Sequence, residues 1–195
     1  MFLIRRPSRE AIERFIGRSQ ELPLSYSPIG LLRNETVRHD IDETVAAIGR
    51  GRQDFERARI ALARWRHFEM DWVELFPRHA PIEPGTVVAV LIRHLGFWSL
   101  NGCRIVYCVG DCDRGARFGF AYGTLTNHSE AGEELFEVFM NPDSDEVTYR
   151  IRAISRPQAT LTRIGYPVAR LLQARFQRES ADAMRRTTPG NGVRR

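Results

Sequence analysis

The feature that most narrows the choice of fold is a change of hydrophobic period about halfway along the chain. From Val87 onward, apolar runs of strand length recur: Val87 to His94, Cys103 to Val109, Phe118 to Leu125, Glu134 to Met140 and Val147 to Ile154. Between them stand Asn101-Gly102, Asp111 to Gly115, Asn127 to Gly132 and Asn141 to Asp145. Gly, Asn and Asp supply the backbone conformations that turns need, and connections this short cannot carry the crossover that parallel strands require. The second half therefore predicts a five-stranded antiparallel meander. Its third strand sets Phe118, Phe120 and Tyr122 on one face against Gly119, Ala121 and Gly123 on the other, so the bare face is expected to accept a close neighbour such as a helix or a ligand.

Helical periods flank the meander. Ser8 can cap a helix running to about Gly17, with Ala11, Ile12, Phe15 and Ile16 on one face. Leu22 to Leu32 reads as extended chain with turns, and Thr36 to Ile48 fits either a half-exposed strand or an irregular helix before Gly49 and Gly51 punctuate it. From Gln53 to Phe76, apolar residues including Phe55, Leu62, Trp65 and Trp72 recur at three, four and seven, which predicts one long amphipathic helix ended by Pro77. Trp65 and Trp72 are read as core, with lining a ligand site the lesser alternative, and Arg57, Arg59, Arg64 and Arg66 opposite them as a solvated face, with partner docking on that face the lesser alternative. After Pro157 a last helix is expected from Pro167, with Val168, Leu171, Leu172, Phe176 and Ala183 in one stripe. The expected organisation is one domain over residues 1–186 and a basic tail over 187–195.

Several classes of function lose support at this stage. The longest apolar stretch, Val87 to Ile92, is far below the roughly 20 residues of a membrane-spanning helix, and Met1 to Pro7 lacks a secretory apolar region. Every one of the 29 basic residues is Arg, as expected of a GC-rich, bacterial genome. The net charge of +5 comes largely from Arg185, Arg186, Arg194 and Arg195, and no basic stripe with interleaved aromatics appears, so nucleic acid is not an expected partner. Cys103, Cys108 and Cys112 are odd in number and lack zinc-knuckle spacing, which points to a reducing cytoplasm and to no metal site. Walker, dinucleotide and nucleophile-elbow motifs are missing, so no cofactor is expected.

The run Tyr122 to Phe136 (Y-G-T-L-T-N-H-S-E-A-G-E-E-L-F), S-R-P at Ser155 to Pro157 and Q-A-R-F at Gln173 to Phe176 resemble an uncharacterised family of bacteria and plants, domain of unknown function 1990. L-P-L-S-Y at Leu22 to Tyr26, G-R-G at Gly49 to Gly51, F-E-R-A at Phe55 to Ala58 and W-R-H-F-E-M-D-W at Trp65 to Trp72 extend the resemblance over residues 22 to about 186. It departs from the pattern at Thr126 and Asn127, where Pro-Gly is expected. The resemblance implies no activity. The order of elements is similar to the helix-grip arrangement of START-like and polyketide-cyclase-like proteins, which implies an α+β fold: a curved antiparallel sheet wrapped around a long C-terminal helix, here with an additional long helix mid-chain, and an apolar cavity between sheet and helix.

On this reading the leading expectation is a module that binds a small apolar or amphipathic ligand between sheet and C-terminal helix. The candidate ligand-binding residues are Tyr107, Phe120, Tyr122, His128, Glu133, Tyr149 and Arg156. The alternative is a small cyclase, hydratase or lyase, because the cluster His128, Glu130, Glu133 and Glu134 supplies an imidazole with carboxylates for acid or base work; the bland reading of that cluster is a solvated loop. Arg156 precedes Pro157 at a strand end, and is expected to be at least half buried and paired with Glu133 or Glu134 over the 127–134 loop. Oligomeric state is left open.

Overall fold

The computed structural model describes residues 1–33, 41–94, 96–110, 117–157 and 166–188. Among these, eight strands form one antiparallel sheet: β1 (Phe2–Leu3), β2 (Asp42–Arg50), β3 (Val73–Phe76), β4 (Val87–Arg93), β5 (Trp98–Val109), β6 (Arg117–Thr124), β7 (Glu130–Met140) and β8 (Glu146–Pro157). The order is β2-β8-β7-β6-β5-β4-β3, so the meander from β4 to β8 lies in sequence order, and β1 pairs with the first residues of β5 beyond the end of β6. Thr36 to Ile48 resolves in favour of a strand from Asp42, residues 34–40 lying outside the described ones, as does Cys112.

Among the described residues three α-helices complete the fold: α1 (Arg9–Ser19), α2 (Gly51–Ala63) and α3 (Tyr166–Arg185). Ser8 caps α1, its hydroxyl accepting from the Ala11 amide at 3.3 Å. The expected helix over 53–76 is overturned: α2 stops at Ala63, Trp65 takes a left-handed φ of 59°, a turn of 3-10 helix spans Arg66–Phe68, and β3 follows. The apolar spacing that suggested helix is real, but it arises because Trp65, Phe68, Trp72 and Leu75 reach one core from three different backbone conformations. The indole N–H of Trp65 donates to the Ala80 carbonyl at 2.9 Å and ties the helix end to the loop after β3. On the outer side of α2, Arg59 pairs with the half-buried Glu56, as a solvated face would, while Arg57 reaches Asp54, which is buried and also accepts from the Arg50 amide.

The two faces of the sheet have different coverings. On the concave face α2, the 3-10 turn and α3 pack against Val88, Val90, Phe120, Phe136, Val138 and Tyr149 in the main core. Phe176, Ala181 and Met184 carry α3 into it, whereas Leu171, expected in the same stripe, is 72% exposed. The convex face is covered at one end by Ile12 of α1 against Ala89, Leu91 and Leu100. At its middle lies the extended segment through Tyr26 and Leu32. This is the close neighbour that the bare face of β6 accepts: a Cβ on Gly123 would collide with the Tyr26 ring. Ser25 fixes the approach, its amide donating to the Thr124 carbonyl at 2.9 Å.

Candidate functional site

Strand alternation splits the sequence cluster in two. Glu133 stands opposite Ile154 and Glu134 opposite Ala153 in adjacent rows of β7 and β8, so their side chains leave the sheet on opposite faces. The Glu133 carboxylate, 2% exposed, receives the Tyr26 hydroxyl at 2.8 Å, the Tyr107 hydroxyl at 2.8 Å and the amides of Gly30 at 2.9 Å and Leu32 at 3.1 Å. Four donors on one buried carboxylate make it the anchor of the convex-side segment. Tyr107 belongs to this anchor because a register shift between Ile105 and Tyr107 sets it opposite Ala121, next to Leu32 and Leu135. Burial and the adjacent carboxylate raise the pKa of both tyrosines.

Glu134 faces the other way, into a cavity of about 420 Å³ between the sheet and α3. Phe68, Trp72, Val90, Ile92, Leu172 and Phe176 supply apolar walls. Room exists here because the strands present small residues, Ser99, Thr124, Gly132 and Ala153, where α2 no longer covers the sheet. Gly132 has a second reason to lack a side chain, since a Cβ would run into the Ile154 carbonyl of the neighbouring strand. Phe2, His94 and Phe97 also line the cavity; the His94 ring stacks on Phe97 with centroids 4.4 Å apart, and its Nε2 lies 2.8 Å from the Ser99 hydroxyl.

The polar end combines Tyr122, His128, Glu130 and Glu134. The Tyr122 hydroxyl donates to Glu134 Oε2 at 2.6 Å. Burial, opposed by that hydrogen bond and assisted by repulsion from Glu130 and Asp42, pushes the Glu134 carboxyl up to about 7. Burial raises Glu130 as well. His128 Nδ1 lies 2.9 Å from the Glu130 amide nitrogen and 3.1 Å from the Glu130 carbonyl oxygen, which holds the ring against the start of β7. Burial holds the His128 imidazole down to about 4. The result is a neutral imidazole beside a carboxyl that exchanges a proton near neutral pH, in a largely apolar chamber.

Of the residues expected from sequence, Tyr122, His128 and Glu133 line the cavity, although the Glu133 carboxylate is engaged on the far side of the sheet. Phe120 and Tyr149 are fully buried in the core; Phe120 packs on Trp65 at 4.7 Å between ring centroids, and the Tyr149 hydroxyl meets Ser180 at 2.9 Å. Arg156 is exposed, with no ion pair among the described residues, because it shares the convex parity of Ile154 at the strand end while Glu133 is already saturated and Glu134 faces inward. The bland reading of the 127–134 cluster, a solvated loop with a structured turn, holds for the turn at 126–129 but not for solvation: residues 127–130 are half-buried, β7 begins at Glu130, and Asn101 Oδ1 accepts from the Ser129 amide at 3.3 Å. Trp72, for which lining a ligand site is the lesser sequence reading, does line the cavity, as does Glu130 of the acid–base cluster, whereas Phe176 is read from sequence only as part of a helical stripe. The parity that Glu130 and Glu134 share in one strand was a usable signal for Glu130.

Among the described residues no group of three or more His, Cys, Asp or Glu is placed to hold a metal ion, and no helix is long and apolar enough to cross a membrane. A hypothetical protein from Helicobacter pylori of known structure aligns with a TM-score of 0.49 and 12% identity, over 84% of this chain and 95% of its own. A UPF0548 protein from Dictyostelium discoideum is 32% identical, covering 98% of this chain and 97% of the relative. Another from Arabidopsis thaliana is 34% identical over 74% of this chain and 71% of the relative. The sequence pattern described as Domain of unknown function (DUF1990) matches residues 25–183, and the chain belongs to that family.

Proposed function

We propose that this protein binds a small apolar or amphipathic molecule in the cavity between the sheet and α3. The observation that carries the reading is the chamber itself: about 420 Å³, within the range of roughly 300–1,000 Å³ common to small-molecule sites, with apolar walls and polar groups gathered at one end. A sheet and helix closed on a solid core would have removed it. Native mass spectrometry of gently purified protein is the test, with Nile red fluorescence as a second readout. A retained small molecule, and dye binding that Ile92→Trp abolishes without loss of fold, are the expected results; no retained mass together with dye binding indifferent to Ile92→Trp would refute the proposal. Both Cys103 and Cys108 are unpaired thiols, which supports action in a reducing cytoplasm.

A second reading, acid–base chemistry of the cyclase, hydratase or lyase kind, is favoured by one observation: Tyr122, His128 and Glu134 converge on the same chamber. Glu134 is the acid or base in this reading, and Glu133 drops out because four donors hold its carboxylate elsewhere. Once a retained molecule is identified, its conversion by the protein but not by Glu134→Gln, with binding kept, would establish catalysis. Binding without conversion leaves the module reading.

A further inference from the structure

The chain carries 29 Arg, yet none of those among the described residues lines the cavity. The ionisable groups there are of one sign or neutral. Glu130 and Glu134 occupy the polar end, with Glu133 in the same strand turned to the other face. Burial lowers the pKa of the His94 imidazole and holds that of His128 down to about 4. Nearby, Arg170 of α3 hydrogen-bonds Asp42 of β2 through both terminal nitrogens, so its guanidinium meets a carboxylate outside the chamber while its charge also acts on Glu130. The remaining titratable groups around Glu134 are the Tyr122 and Tyr149 hydroxyls and the Cys103 thiol, all neutral near pH 7 because burial raises each of them.

Resting on the cavity-binding reading above, we propose that the ligand is a protonated amine carrying an aromatic or aliphatic body, with its ammonium group received by Glu134 and Glu130 and its body held against Trp72, Phe68 and Phe176. An ammonium brings the donors and the positive charge that this end lacks. A carboxylate or phosphate head would add negative charge beside two acidic side chains in a poorly solvated place, where the one guanidinium that acts on Glu130, Arg170, is already bound to Asp42. The carboxylate keeps acceptor capacity after taking the Tyr122 hydroxyl, since its two oxygens offer about four lone-pair sites. Aromatic walls suit both the apolar body and the cation itself.

The test compares three molecules of one shape and different head groups: phenylbutylamine, phenylbutanol and phenylbutanoate. Each displaces Nile red near pH 8, where Glu134 is mostly ionised and an alkylammonium still protonated. The amine is expected to bind at least about tenfold tighter than the alcohol, and the carboxylate at least about tenfold weaker. Glu134→Gln should bring amine and alcohol within about threefold of each other through loss of amine affinity, with retained Nile red binding and an unchanged far-UV circular dichroism spectrum showing that the chamber is intact. Phenylbutanoate binding as well as the amine would overturn the proposal, as would an amine preference that survives Glu134→Gln combined with Glu130→Gln. In both cases cavity binding stands, because the alcohol still displaces the dye. Failure of all three probes, with Ile92→Trp indistinguishable from the parent, overturns the amine proposal and the cavity reading together.

Discussion

Replacing His67 by Phe should make the protein more resistant to acid, by an amount that depends on pH in a defined way. His67 lies in the 3-10 turn after α2, fully buried, with ring centroids 4.6 Å from Phe136, 4.8 Å from Phe68 and 5.7 Å from Trp65. Neither ring nitrogen has a hydrogen-bond partner, and burial holds the imidazole down to about 3 from an ordinary 6.5. A base whose folded pKa is depressed stabilises the fold fully above its unfolded pKa and loses that contribution as pH falls toward the folded value. At about pH 4 the unfolded chain binds a proton that the folded chain refuses, so this single residue costs about 2.5 pH units times 1.36 kcal/mol, or roughly 3 kcal/mol. Near pH 7 the linkage contribution is close to zero. Phe carries no proton and removes it at every pH. Steric strain from the larger ring is independent of pH and cancels when the two conditions are compared, as does the similar demand of His128, which both proteins retain. Urea unfolding of both proteins, followed by tryptophan fluorescence near pH 7 and pH 4, gives the difference under two-state conditions. The expected gain of the variant between the two pH values is about 3 kcal/mol; a change below about 1 kcal/mol would mean that the folded protein accepts the proton at His67 and would refute the reasoning.

Glu133→Ala leaves two tyrosine hydroxyls and two amides without their common acceptor, and should cost about 3–5 kcal/mol in chemical denaturation. Glu134 has the opposite linkage sign to His67. Its carboxyl is raised to about 7, so the folded state binds the extra proton between about pH 4.5 and 7, and stability falls as pH rises through that window. Glu134→Gln should lack that fall and gain about 2–3 kcal/mol on the parent between pH 4 and pH 8, measured by urea unfolding. Arg156→Ala should change stability by less than about 1 kcal/mol, since the side chain is exposed at the strand end.

The meander was legible because its determinants are local. Turn residues at Asn127 to Ser129 and Asn141 to Asp145 separate strands, and alternation within Phe118 to Tyr122 fixes which side chains share a face. Asn101-Gly102, read as a turn, instead lies inside β5 opposite Val90 and Ala89, because the strand begins at Trp98. The helical stripe at Phe176 was legible for the same reason, and Ser8 announced α1. The misreadings share a different cause. Apolar spacing records which residues are buried, and Trp65 and Trp72 are buried alike although one closes a helix and the other precedes a strand. Tyr107 changes face through a one-residue register shift, which leaves no mark in the alternation of its neighbours.

Taken alone, the sequence determined the family, the antiparallel meander, the C-terminal helix and the presence of ionisable residues around His128, because motifs, turns and periodicity act over a few residues at a time. Tertiary structure decided where those residues go. Adjacent carboxylates in β7 became a convex-side anchor at Glu133 and a cavity-facing acid at Glu134, since the extended segment through Tyr26 covers one face and α3 spans the other. The chamber itself depends on where α2 stops and on small residues from four separate strands meeting beneath α3. A volume between distant elements, and the desolvation that tunes a carboxyl beside it, arise only when the chain has folded, because both depend on packing across the whole sheet.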